Sequence, residues 1–136
     1  MSQPQISAII CTYNRETYLG TAIDSLLSQD FAAPFEVIVV DNASTDNTRA
    51  VIETRLTRSL PSHLQLHYIY EPVNGLSVAR NTGAKAAQSS LLAYLDDDAV
   101  ASPTWLQAIY TAYQHNEKLA VAGGKVTLLW SYGTSA

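Results

Sequence analysis

Cysteine is almost missing from this chain. Cys11 is the only one in 136 residues, so no disulfide can form within it. A disulfide-stapled scaffold is excluded, and the usage suits a reducing compartment. Basic residues are also scarce: 8 Lys and Arg stand against 12 Asp and Glu, for a formal net charge of −4. A protein that tracks a nucleic-acid backbone needs the opposite balance. No apolar run approaches the roughly 20 residues of a membrane span. The opening Met1-Ser2-Gln3-Pro4-Gln5 has no basic segment and no long apolar run behind it, which predicts no signal peptide. The expectation is a soluble cytoplasmic protein, either free or at the inner membrane surface. Several motifs are absent too. There is no G-x-G-x-x-G after the first strand, no G-x-x-x-x-G-K-[ST] and no G-x-S-x-G. A dinucleotide dehydrogenase, a P-loop NTPase and an α/β-hydrolase are therefore disfavoured. A receiver-type phosphoacceptor domain would carry acids after its first strand, where this chain has Thr12-Tyr13-Asn14.

What is present is apolar. Hydrophobic residues make up 47% of the chain and charged residues only 15%, the latter against roughly 25% in an average globular protein. The length fits a single domain over 1–136, with a core at about 5–127 and a tail or incomplete strand at 128–136. Short β-branched runs alternate with helical spacing. Ile6 to Cys11 reads as a buried strand, and Tyr18 to Leu27 as a helix of about three turns. Phe35 to Val40 is a second strand. The helix after it is expected to carry Ala50, Val51 and Leu56 on one face. Leu64 to Tyr70 alternates and reads as a strand nearer an edge. A helix from about Leu76 to Gln88, a strand at Leu91 to Leu95 and a helix opened by Ser102-Pro103 follow. Leu119 to Trp130 is again strand-like. His63 and His67 read as surface residues, and Trp105 and Trp130 as packing residues.

This β-α alternation predicts an α/β fold: a Rossmann-like, mainly parallel sheet with helices on both faces. Such sheets bind ligands beyond the carboxyl ends of their strands. The polar clusters fall there. Thr12-Tyr13-Asn14-Arg15 follows the first strand and offers three hydrogen-bonding side chains and a cation to a nucleotide edge; Asn14 is equally suited to capping the next helix. Asp41 follows the second strand, where an acid often accepts hydrogen bonds from a nucleoside. The alternative is an Asx-turn through Asp41, Asn42, Ser44 and Asp46, with Asp46 favouring the helix start. Gly75 permits a tight turn, and Gly83 within a helix suggests close approach of a neighbour. Arg80 suits either a phosphate or an ion pair with the acidic rim. Asp96-Asp97-Asp98 is the sharpest cluster. Three adjacent carboxylates repel one another, so either they form a solvated loop or they hold a divalent cation such as Mg²⁺ or Mn²⁺. In an extended segment Asp96 and Asp98 point the same way and can share one metal–phosphate unit.

Taken together, these blocks resemble the inverting family 2 glycosyltransferases of the GT-A fold. The blocks are Cys11 to Arg15, Val39 to Asp46, Asn74-Gly75 through Ala79 to Gly83, and Leu95 to Asp98, in the family's order and spacing over residues 5 to 127. The resemblance implies a binder of a nucleoside-diphosphate sugar, with a UDP-sugar the expected donor. It implies that Thr12 and Asp41 contact base and ribose, with Tyr13, Asn14, Arg15 and Asp97 around the nucleotide-sugar and Arg80 near the diphosphate. Asp96 to Asp98 correspond to the D-x-D segment. Asp98, with Asp96, would then hold Mn²⁺ or Mg²⁺, which offsets charge developing on the leaving group. Transfer with inversion needs a general base. The family's acceptor-side sequence does not follow here, and Glu117 is the only carboxylate side chain after Asp98. The expectation is a donor-binding half, with a non-catalytic nucleotide-binding module as the alternative. A nucleotidyltransferase fits less well, because the first strand is not followed by a Gly-rich triphosphate loop. An unpaired edge at Val126 to Trp130 would favour a homodimer.

Overall fold

The computed structural model describes residues 3–115. Four strands and four helices alternate: β1 Ile6–Thr12, α1 Leu19–Leu27, β2 Phe35–Asp41, α2 Thr48–Leu56, β3 Leu64–Tyr70, α3 Leu76–Ala86, β4 Leu92–Tyr94 and α4 Trp105–His115. The strands form one sheet in the order β3-β2-β1-β4, and all three pairings are parallel. β3 lies at an edge of this sheet, as its alternating pattern predicts. The expected strand at Leu119 to Trp130, Glu117, and the edge proposed for self-association lie outside the described residues.

Alternation along the strands explains the layers, because successive side chains point to opposite faces. Ile6, Ala8 and Ile10 of β1 join Phe35, Val37 and Val39 of β2 on one face. That face is covered by α1, which buries Leu19, Ala22, Ile23 and Leu26 at i, i+3, i+4 and i+7. α4 adds Trp105, Leu106 and Ile109 to the same core. Each such side chain contributes about 1.5–3 kcal/mol by leaving water. On the other face, Ile9, Ile38 and Val40 meet Ala79 of α3. There Gly83 is needed: a Cβ on it would lie 2.7 Å from Ile9 Cγ2. Close packing of helix on sheet accounts for a glycine in a helix interior.

Three sequence expectations are corrected by packing. The buried face of α2 runs through Thr48 and Ile52, while Ala50 and Leu56 are exposed. Arg55, one turn further along that face, is drawn to Asp24 of α1 at 3.0 Å, which sets the helix's rotation. His63 is half-buried rather than on the surface, whereas the His67 side chain stays 40% exposed. His63 Nε2 lies 3.0 Å from the Phe31 carbonyl, and His67 Nε2 lies 3.3 Å from Glu36. Finally, α4 begins at Trp105, after a turn in which Trp105 N–H donates to the Ser102 carbonyl. Among the described residues no helix is long and apolar enough to cross a membrane.

Candidate functional site

The strand order fixes where a ligand can enter. From β1 the chain steps outward to β2 and β3. It then returns across the sheet through α3 to place β4 on the other side of β1. This reversal leaves a crevice between the carboxyl ends of β1 and β4, the position favoured for ligands in open α/β sheets. A cavity of about 620 Å³ lies there. It is lined by Cys11, Thr12, Tyr13 and Arg15 after β1, by Asp96, Asp97 and Asp98 after β4, and by Asn42, Asn74, Gly75 and Arg80 from the β2 and α3 side.

The floor comes from register. Thr12 pairs with Asp41, and Asp41 with Tyr70, so three strands end level. The Thr12 hydroxyl is buried at the cavity floor, next to the Asp97 carboxylate whose charged form it favours. Asp41 is only 1% exposed. Its Oδ1 accepts the Ser44 N–H at 3.1 Å and its Oδ2 accepts the Tyr68 hydroxyl at 3.0 Å. It lies beside the cavity and does not line it. Burial, and then the bond to Asp41, push the Tyr68 hydroxyl up to about 12, so it remains a donor at all ordinary pH values. The guanidinium of Arg49 lies over the Tyr68 ring at 5.5 Å.

Asn14 turns away from the cavity. Its Oδ1 accepts the backbone N–H of Thr45 at 2.8 Å and of Asp46 at 3.3 Å. It does not cap α1, whose N-cap is Tyr18 without a side-chain bond. Asn14 instead fastens the β1–α1 loop to the β2–α2 loop, helped by Arg15 N–H on Thr48 Oγ1. Asp46 receives the Thr48 N–H at 2.9 Å and so serves the start of α2. Both joined loops carry a left-handed residue, Asn14 at φ 50° and Ala43 at φ 63°. For alanine that conformation is uncommon and is held by its surroundings.

The acidic loop is anchored at both ends. Leu95 N–H donates to the Ile9 carbonyl at 2.9 Å, and Ala101 N–H to Ser25 Oγ at 3.0 Å. Gln29, just beyond α1, bridges the next turn, donating to the Ser102 carbonyl and accepting from Leu106 N–H. Asp96 and Asp98 are exposed to the cavity and Asp97 is half-buried. Burial raises the Asp97 carboxyl, only partly offset by the nearby Thr12 hydroxyl and by the Arg15 guanidinium at 3.6 Å. Cys11 is pushed up to about 11 by burial, so it presents a thiol and not a thiolate to the cavity. The available donors are thus carboxylate oxygens, which fit Mg²⁺ or Mn²⁺. Among the described residues no three His, Cys, Asp or Glu side chains already converge as a metal cage.

Arg80 sits on α3 facing the same cavity, over the Tyr94 ring at 5.8 Å. It is not tied to the acidic rim by an ion pair within 4.0 Å; Arg15 makes that contact, to Asp97. Asn42 is a cavity residue that sequence reasoning placed only in a turn. Its position directly after Asp41 at a strand's carboxyl end was the available signal. Trp105 lies in the core and not in the cavity wall.

Known proteins share this arrangement. The family model described as glycosyl transferase family 2 matches residues 7–128. Validoxylamine A glucosyltransferase of Streptomyces hygroscopicus subsp. limoneus is 37% identical over 133 residues, 96% of this chain and 27% of its own length. Among solved structures, S. aureus TarS 1-349 in complex with UDP-GlcNAc superposes with a TM-score of 0.72 at 29% identity, covering 83% of this chain and 32% of that one. The mannosyltransferase PcManGT from Pyrobaculum calidifontis, in complex with GDP-Man and Mn²⁺, gives 0.65 at 27% identity, covering 78% and 31%. The chain thus spans about a quarter to a third of the length of these relatives. The family match runs along nearly the whole chain, and its parallel sheet agrees with it: the chain belongs to glycosyl transferase family 2.

Proposed function

We propose that this chain forms the donor-binding part of an inverting glycosyltransferase and takes a nucleoside-diphosphate sugar, with a UDP-sugar preferred. One observation carries the reading. A buried hydroxyl (Thr12), a cation (Arg80) and three carboxylates (Asp96, Asp97, Asp98) face one cavity at the sheet's switch point. Tyr13 and Thr12 lie where a base and ribose would rest, with Asp41 beside them at the end of β2. Arg80 approaches the diphosphate. Asp98 and Asp96 would hold the divalent ion, with Asp97 and Arg15 between them and the nucleoside. The UDP-GlcNAc and GDP-Man/Mn²⁺ complexes of the structural relatives support both the ligand class and the metal.

The chemistry follows from charge. An acceptor hydroxyl oxygen attacks the anomeric carbon, the bond from that carbon to the phosphate oxygen breaks, and its electrons leave with the diphosphate. A bound divalent ion supplies charge neutralisation for that leaving group. This chain's residues bind and orient: Arg80 adds a second positive charge, and the cavity walls fix the donor for in-line attack. The proton of the acceptor hydroxyl goes to a general base, a role assigned to none of the described carboxylates.

Calorimetry with UDP and GDP, with and without Mn²⁺, tests the reading. Metal-dependent binding, tighter for UDP, is expected. A folded sample that binds neither nucleotide at millimolar concentration sinks the proposal, and tighter binding of GDP overturns the choice of base.

A further inference from the structure

We infer that Asn42 is a positioning residue that sets the diphosphate end of the site; the inference rests on the nucleotide-binding reading above. Asn42 is 6% exposed, at the end of β2, and its side-chain amide is fully engaged. Nδ2–H donates to the carbonyls of Glu71 at 3.1 Å and Val73 at 2.8 Å. Oδ1 accepts the Gly75 N–H at 3.0 Å. Two carbonyls on one side and an N–H on the other allow only one orientation of the amide. An aspartate could keep the bond from Gly75, but it would turn an oxygen toward both carbonyls.

What Asn42 holds is the segment that delivers α3. Gly75 is the N-cap of α3 at φ +140°, a backbone conformation that side chains oppose, and no side chain caps the helix. Asn74, Gly75 and Leu76 line the cavity, and Arg80 follows one turn later. The other side-chain bonds in the loop stay within the loop and α3: Val73 N–H to Glu71 Oε2, and Thr82 hydroxyl to Glu71 Oε1. Glu71 N–H reaches back to the Asp41 carbonyl at the loop's beginning. Asn42 is thus the side chain that ties Val73 and Gly75 to the sheet. Through them it sets how far the first turn of α3 and Arg80 stand from the acidic loop opposite. A diphosphate spans that gap, whereas the nucleoside rests on Thr12 and Tyr13, which Asn42 fixes only through its backbone N–H on the Thr12 carbonyl.

A split between two ligands tests this. UDP and uridine are titrated against the whole chain with Mn²⁺, at a temperature where circular dichroism shows each variant folded. Asn42→Ala is expected to weaken UDP about tenfold while uridine binds as it does to the unaltered chain. Gly75→Ala strains the same start of α3 without touching Asn42 and should reproduce the split, which keeps the test open if Asn42→Ala does not fold. Equal weakening of both ligands, or no weakening of UDP, overturns the positioning role while leaving the nucleotide site intact. If the unaltered chain binds UDP no better than uridine, the donor-site reading fails, and this inference falls with it.

Discussion

The two ends of the sheet use the same chemical group in opposite ways. At the amino end Glu36, the second residue of β2, is completely buried. Its Oε2 accepts the Ser7 hydroxyl and the Gln88 N–H, both at 2.6 Å, and Ser7 Oγ in turn accepts the Ser89 N–H. His67 stands 3.3 Å from Oε1. The carboxylate closes three strands and the chain after α3 into one unit. At the carboxyl end, Asp96 and Asp98 are exposed to a cavity, and burial raises the Asp97 carboxyl, with the Thr12 hydroxyl and then Arg15 opposing. What separates a structural acid from a binding acid here is how many partners the fold itself supplies: Glu36 Oε2 accepts two hydrogen bonds, although its Oε1 has only His67 nearby. The end where partners are missing is the end where strand order leaves a crevice.

Removing an acid at each end should give opposite signatures. Glu36→Ala strands the Ser7 hydroxyl and the Gln88 N–H in a buried place and is expected to cost about 3 kcal/mol in urea unfolding. UDP affinity of the folded protein should not change. If binding falls and stability holds, the contrast between the ends is wrong. Asp98→Ala should do the reverse, with at least a tenfold loss of Mn²⁺-dependent UDP affinity, about 1.4 kcal/mol, and a stability change within about 0.5 kcal/mol. Tyr68→Phe probes the point between the two. Without its donor the Asp41 carboxylate is less well fixed, and a loss of about 1 kcal/mol is expected. A double-mutant cycle of Tyr68→Phe with Asp41→Asn measures how much of that loss belongs to the pair; strict additivity would show that the hydrogen bond does not couple them.

Most of the fold is visible in the sequence because the central strands β1 and β2 are buried on both faces, and continuous β-branched runs such as Val37 to Val40 leave little else to form. The clusters at strand ends are equally legible, since topology alone sends Thr12, Asp41 and Asp96 to one rim. What escapes is set by tertiary partners. The rotation of α2 depends on Arg55 reaching Asp24 and not on its own weak apolar pattern. Asn14 reads as a ligand or a helix cap because its amide oxygen and nitrogen suit both roles. Only the approach of the β2–α2 loop shows what it holds. Asn42 was hidden beside the more conspicuous Asp41, because an asparagine in a turn gives no sign of whether its amide grips a neighbouring loop. Glu36 sits within an apolar run, where a single acid reads as an interruption until Ser7 and Gln88 are seen around it.

The smallest effect should come from an acid away from either end. Asp24 of α1 meets both Arg55 and Arg58 of the α2 region, at 3.0 and 2.8 Å. The hydrogen bond from Arg55 is the main cause that lowers its carboxyl below the ordinary value of 3.8, with burial opposing and Arg58 assisting. A lowered acid contributes stability above its unfolded value and loses it as pH falls through the folded one. Asp24 is 41% exposed, so solvent screens the pairs and the contribution is about 0.5 kcal/mol. Asp24→Asn should therefore unfold slightly more easily at pH 7, converge with the unaltered chain as the pH drops below 3.8, and show a smaller difference at high salt. A penalty that persisted undiminished in acid would mean that Asp24 acts through hydrogen-bond geometry, as Glu36 does, and not through charge. A surface acid would then belong with the closed end of the sheet, and exposure would no longer be what distinguishes the binding acids.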